Sequence, residues 1–133
     1  MLSRLTQVLF VFLLALPVSY AETSESAKSL DGFELEELVL DKTANCRKEK
    51  DKSLCVNYFS PEGVLVQVRD SGERKDGRWF LDDSDRLCIL WNGKIKPYCF
   101  VVTENDDGTY NMVKRGKHIS TMLKLYEGNT EKL

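Results

Sequence analysis

The sequence predicts a mainly β (α+β) domain: one short N-terminal helix, then a curled antiparallel sheet or partial barrel of about seven to eight strands. Three observations lead there. From Thr43 onward, short runs rich in β-branched and aromatic residues alternate with turn signals. A helical period occurs in one stretch only, just before that point. Four cysteines, Cys46, Cys55, Cys88 and Cys99, are spaced to staple hairpins.

The helix is expected over 32–40. Asp31 followed by Glu34 forms a capping-box pattern, and acidic residues suit the first turn. Leu30, Phe33, Leu35, Leu38 and Val39 supply an apolar stripe that packs on the sheet. The polar stretch 22–29 (ETSESAKS) reads as a flexible leader, with the folded domain spanning 30–133.

The strands follow from their punctuation. LCVNYFS and GVLVQVRD flank Ser60-Pro61-Glu62-Gly63, with Pro at the second turn position and Gly at the fourth, as a type I turn prefers. DGRWFLD and RLCILW flank an acidic turn around Asp83-Ser84-Asp85. NGKI, then NDDGT, separate the later runs PYCFVV, TYNMVKR and HISTMLKLY.

The cysteines fit this hairpin pattern. Cys88 and Cys99 lie symmetrically about a turn, so that 90 faces 97 and 91 faces 96. Pro97 has no N–H to donate. A four-residue loop over 92–95 therefore puts 90–97 and 88–99 at non-hydrogen-bonded sites, where facing Cα atoms are about 4.5 Å apart, close enough for a disulfide. Cys46 and Cys55 likewise bridge the hairpin around RKEKDKSL. The alternative pairing joins the two halves of the chain. With Asp82–Asp85 as the preceding loop, Trp79 faces Cys88 and covers the Cys88–Cys99 bridge, with Leu81 and Leu90 on the same face. Core packing is the expected role of Trp79, against an aromatic ligand platform.

The N-terminus predicts export. Arg4 precedes an apolar run from Val8 to Val18 that contains Pro17, and Ser19 and Ala21 occupy the −3 and −1 positions of a cut after Ala21. The run is about half the ~20 residues a spanning helix needs, so no transmembrane segment is expected after cleavage. Removing residues 1–21 from the 133 leaves 112, with 18 basic and 21 acidic side chains and a net charge of −3. That balance argues against a nucleic-acid partner. An even cysteine count in an exported chain implies an oxidising compartment.

Several segments together resemble a known pattern. They are Leu30-Asp31-Gly32-Phe33-Glu34-Leu35 with Leu38, Tyr58-Phe59-Ser60-Pro61-Glu62-Gly63, and Gly77-Arg78-Trp79 followed by Leu87-Cys88, Trp91 and Cys99. In this order they resemble a family of small uncharacterised bacterial periplasmic proteins with an L-x-G-x-E-L opening and a G-x-W … L-C-x-x-W … C pattern. The resemblance covers about residues 30–101 and implies a bacterial source and a periplasmic home, but no activity. Cys46 and Cys55 lie outside that pattern, and their bridge rests on spacing alone.

Catalytic signals are weak. Paired cysteines are not thiolate nucleophiles, and there is no C-x-x-C motif, phosphate loop, G-x-S-x-G elbow or dinucleotide fingerprint. His118, the single histidine, sits among Lys114, Arg115 and Lys117 and reads as a solvated turn. The acidic turns Asp82-Asp83-Ser84-Asp85 and Glu104-Asn105-Asp106-Asp107 lack EF-hand spacing. No catalytic residue, cofactor or metal ligand is expected.

These readings converge on an exported, periplasmic or extracellular, non-enzymatic binding or interaction domain. Its partner is an apolar small molecule inside the sheet or an envelope protein. The alternatives are a structural envelope component, or a small envelope hydrolase or lyase using acidic residues or His118 with a tyrosine such as Tyr126. The deciding observation is whether Trp79, Leu81, Leu90 and their neighbours fill the interior of the sheet or leave a cavity.

Overall fold

The computed structural model describes residues 28–133. The signal-peptide cut and residues 22–27 of the leader lie outside them. The chain runs β1 (Lys28–Ser29), α1 (Gly32–Val39), β2 (Lys42–Lys48), β3 (Leu54–Phe59), β4 (Val64–Arg69), β5 (Arg74–Leu81), β6 (Leu87–Trp91), β7 (Tyr98–Glu104), β8 (Tyr110–Lys114) and β9 (Lys117–Glu127). Strands β2 to β9 pair antiparallel in chain order, and β9 returns to pair with β2. The result is one helix followed by a closed eight-stranded meander barrel. Closure removes the open edges that a curled sheet would present.

Much of the curvature resides in β9. One register shift falls opposite Asn45 and Cys46, which pair with Lys124 and Met122 and leave Leu123 as the extra residue. A second leaves Ile119 between Ser120 and His118, the partners of Met112 and Val113. Such bulges bend a strand and increase its twist. The 11-residue β9 thereby serves two neighbours, β2 and β8.

Two residues expected in the leader belong to the sheet instead. Lys28 and Ser29 pair with Glu104 and Thr103 of β7, and the Leu30 amide donates to the Val102 carbonyl at 2.9 Å. The cause is strand length. The β6 ladder stops at Leu87–Phe100, so the end of β7 has a bare edge that β1 fills.

The capping box forms as expected, with the Glu34 amide donating to Asp31 Oδ1 at 2.8 Å and the Asp31 amide to Glu34 Oε1 at 3.2 Å. Leu35 and Val39, one turn apart, are buried, while Phe33 is 70% exposed and leaves the expected stripe. At about 100° per residue, Phe33 lies roughly opposite Leu35 on so short a helix. The helix closes one end of the barrel. Its Gly32 amide donates to Asp85 Oδ1 at 2.8 Å in the β5–β6 turn. Beneath it pack Leu30, Phe59, Leu65, Trp79, Leu87 and Val102.

Both hairpin disulfides are present, Cys46–Cys55 and Cys88–Cys99. The Cys88–Cys99 pair is close, at 4.0 Å between Cα atoms, in the register anticipated from Pro97. The ladder, however, ends at Ile89–Tyr98, so the four-residue loop over 92–95 and the 91–96 pair do not form. The neighbouring hairpin is corrected more sharply. Leu81 pairs with Leu87, so the loop is Asp82–Arg86, one residue longer than expected. Asp82 Oδ1 accepts from the amides of both Ser84 and Arg86, and Asp85 takes the left-handed region at φ 56°, which Asp tolerates. The slip moves every side chain to the opposite face. Trp79 pairs with Ile89 and Phe80 with Cys88. Trp79 is therefore core, as expected, but does not cover the disulfide, and Leu81 and Leu90 lie on opposite faces.

Candidate functional site

The barrel interior is filled at one end only. Under the helix, Trp79 meets Phe59 edge-on at 5.9 Å and 82°, and its indole N–H donates to the Ser60 carbonyl at 2.9 Å. Toward the other end, between the β2–β3, β4–β5, β6–β7 and β8–β9 loops, lies a cavity of about 730 Å³. That volume falls in the ~300–1,000 Å³ range of sites that hold one small ligand.

The cavity has two unlike walls, each set by strand phase. On β6 to β8, inward positions supply Ile89, Trp91, Tyr98, Phe100 and Met112, an apolar and aromatic face. On β2 to β5 they supply the Cys46–Cys55 bridge, Asn57, Gln67 and Lys75. Asn57, Gln67 and Lys75 are successive partners across β3, β4 and β5. Gln67 Nε2 donates to Asn57 Oδ1 at 2.9 Å, and Asn57 Nδ2 to Cys46 Sγ at 3.4 Å. Both amides are buried, and their mutual hydrogen bonds offset the cost of placing polar groups there. Lys75 Nζ lies 5.9 Å from the centre of the Trp91 ring on the adjacent strand.

Gly77 allows the two walls to meet. It pairs with Trp91, and a Cβ at Gly77 would stand 2.6 Å from the Leu90 carbonyl oxygen and 3.1 Å from the Trp91 ring. The first contact is with backbone, which cannot rotate away. Gly77→Ala is expected to lower stability by about 1–3 kcal/mol, the range for overpacking a tight site. Urea unfolding of the purified protein checks this. A Trp91→Ala change made alongside should not restore the loss.

No family model, curated protein or solved structure matches the chain.

The residues singled out from the sequence are dispersed. Cys46 and Cys55 line the cavity, whereas Cys88 and Cys99 face the outside of the wall opposite Phe80. His118 is not a solvated turn residue. It is half-buried on β9, where its Nε2 lies 2.8 Å from Thr121 Oγ1 and 3.9 Å from Glu49 Oε1. Thr121 donates to Glu49 Oε1 at 2.7 Å. Glu49 also accepts from Lys52 and Arg47. These hydrogen bonds, Lys52 first and then Thr121, hold the Glu49 carboxyl down at about 2. Thr121 is only 2% exposed, and the cluster lies outside the cavity lining. It ties the β2–β3 loop to β9, as does the Glu49 amide on the Ile119 carbonyl at 3.0 Å. Tyr126 stands eight positions along β9, where it pairs with Thr43 of β2, whereas His118 pairs with Val113 of β8. The two do not meet.

Several oxygens of the acidic turns are engaged within the protein. Asp82 binds Arg86, Asp85 caps the helix N-terminus, and Asp107 accepts from Thr109. Asp82 Oδ also lies within 4.8 Å of both Cys88 and Cys99 sulfurs, but those sulfurs are joined to each other and so are not thiolate ligands. Asn57 and Gln67 were the residues that sequence reasoning passed over. Their signal was the alternation Cys55-Asn57-Phe59 and Leu65-Gln67, which assigns both amides to the inward phase.

Proposed function

We propose that the protein is an exported, non-enzymatic binding module of the bacterial envelope that holds one small, largely apolar molecule in the open half of its barrel. The observation that carries this reading is the division of the interior. One half is packed around Phe59 and Trp79, while the other keeps about 730 Å³ lined by Trp91, Phe100 and Met112. A barrel this narrow can fill its interior with side chains alone, so a retained cavity with aromatic walls is a reason to look for an occupant. Export is supported by the N-terminal segment and by two disulfides, which persist in oxidising compartments. The periplasmic home rests on the family resemblance.

The test uses the mature protein with both disulfides intact. An uncharged solvatochromic probe, N-phenylnaphthylamine, is expected to bind saturably, one per chain, with a blue-shifted emission. Trp91→Ala should weaken that binding, while Phe33→Ala, on the outer face of the helix, should leave it unchanged. Native mass spectrometry of protein taken from its own envelope should show a co-purifying small molecule. Neither saturable probe binding nor a bound molecule would defeat the reading.

A further inference from the structure

We infer that the occupant of the cavity is an amphipathic anion, its carboxylate or phosphate held at the lysine-rich mouth and its apolar body laid against Trp91, Phe100 and Met112. This inference rests on the binding reading above and adds the chemical class of the ligand.

The charge distribution carries it. Five cations line the mouth and the adjoining wall, namely Lys48, Lys50, Arg74, Lys75 and Lys94, against a single acid, Asp76. The whole chain has a formal net charge of −2, so a local excess of four positive charges is a strong asymmetry. Arg74 and Asp76 are engaged with each other at 3.2 Å. Among the described residues, the four lysines have no carboxylate within 4.0 Å, whereas Lys28, Lys42, Lys52 and Arg86 elsewhere each do.

Burial sharpens the point. Lys48 and Lys75 are half-buried. The Lys48 ammonium is pushed down from its ordinary value, first by desolvation and then by the positive charges of Arg69 and Lys75, which together outweigh the opposing pull of Asp51 and Glu73. Like charges gathered in a partly dry site destabilise one another, and a concave, low-dielectric mouth concentrates their field. An anion entering there relieves that repulsion. The opposite wall is apolar, so a bare anion leaves it without contact. A neutral apolar molecule in turn leaves the lysines uncompensated. Only a ligand with both characters uses both walls.

The experiment is competition against bound N-phenylnaphthylamine. Dodecanoate, dodecyl phosphate, dodecanol, dodecyltrimethylammonium and inorganic phosphate are each titrated below any micelle threshold. At low salt, at least one of the two anionic amphiphiles is expected to displace the probe at about tenfold lower concentration than dodecanol, a size set by close charges near a protein surface. The ratio between dodecanoate and dodecyl phosphate reports which head group the mouth prefers. The advantage over dodecanol should shrink in about 0.5 M salt, where screening is short-ranged. It should also be lost in Lys48→Met/Lys75→Met, while displacement by dodecanol is retained. That retention shows that the variant is folded. Displacement by dodecanol or the cationic amphiphile at concentrations as low as those of the better anion would overturn the inference and leave the binding reading standing. Displacement by inorganic phosphate as strong as by dodecyl phosphate would overturn the amphipathic requirement. Failure of the neutral probe to bind, together with the absence of any co-purifying molecule, would sink the binding reading and this inference together.

Discussion

Replacing Phe59 by alanine is expected to lower the unfolding free energy by about 3–5 kcal/mol, as large-to-small changes at fully buried aromatics do. Phe59 is fully buried, among the largest side chains in that state. Its ring meets Trp79 edge-on, a contact worth roughly 0.5–1.5 kcal/mol beyond buried area. The surroundings are held and cannot collapse cheaply into the space. Trp79 is tethered through its indole N–H to Ser60, and the helix above is pinned by its capping box and by Asp85. Urea unfolding should show a lower midpoint with an unchanged slope. Phe33→Ala should move it by no more than about 0.5 kcal/mol, as an exposed position does. A loss of under about 1 kcal/mol at Phe59 would mean that the closed end is packed differently. Because Phe59 is outside the cavity lining, a folded Phe59→Ala protein should still bind the neutral probe.

Removing the disulfides is expected to separate stability from binding. Cys46→Ala/Cys55→Ala opens a bridge with a sequence separation of 9, and Cys88→Ala/Cys99→Ala one of 11. Chain entropy alone values each at about 2.5–3 kcal/mol. The bridges lie in different hairpins, so their losses should add to roughly 5 kcal/mol. Their effects on ligand should differ. Cys46 and Cys55 line the cavity, and Cys46 Sγ accepts from Asn57. Loss of that bridge frees the Asn57 amide and reshapes the polar wall. Cys88 and Cys99 face outward, and their loss should leave probe affinity unchanged. Equal effects of the two pairs on binding would contradict the placement of the cavity. Non-reducing peptide mapping should recover Cys46 with Cys55 and Cys88 with Cys99.

What the residues reveal without a structure depends on the range of the interaction. Asp31 and Glu34 cap a helix three residues apart, and Pro61 with Gly63 at φ 85° makes a four-residue turn. Such features are complete within one hairpin or one helical turn, so their residues suffice. Parity from Pro97 correctly paired Cys88 with Cys99 for the same reason. The β5–β6 hairpin departs from the expected parity because Asp82 holds two amides and Asp85 adopts a left-handed conformation. One extra loop residue exchanged Trp79 for Phe80 opposite Cys88. The acidic composition was visible, but its loop length was not.

The site was less readable than the fold. Polar residues within a strand ordinarily read as outward, which hides Asn57 and Gln67. The lysines of the mouth come from β2, β5 and two loops, and nothing local shows that they share a rim. Overall charge pointed the other way, since a mildly acidic chain gives no hint of a cationic mouth.

The helix with its cap, the order of the hairpins and the local pairing of the cysteines were legible in the residues alone. These depend on residues within about a dozen positions of one another. Only the tertiary structure decided that β9 meets β2, that β1 mends the edge of β7, and that half of the barrel stays open. Lys42 pairs with Glu127 across nearly the whole domain, and that closure depends on curvature accumulated over eight strands and two bulges in β9. The cavity is what side-chain volumes leave once the ring has closed, a property of the ring as a whole that no single segment specifies.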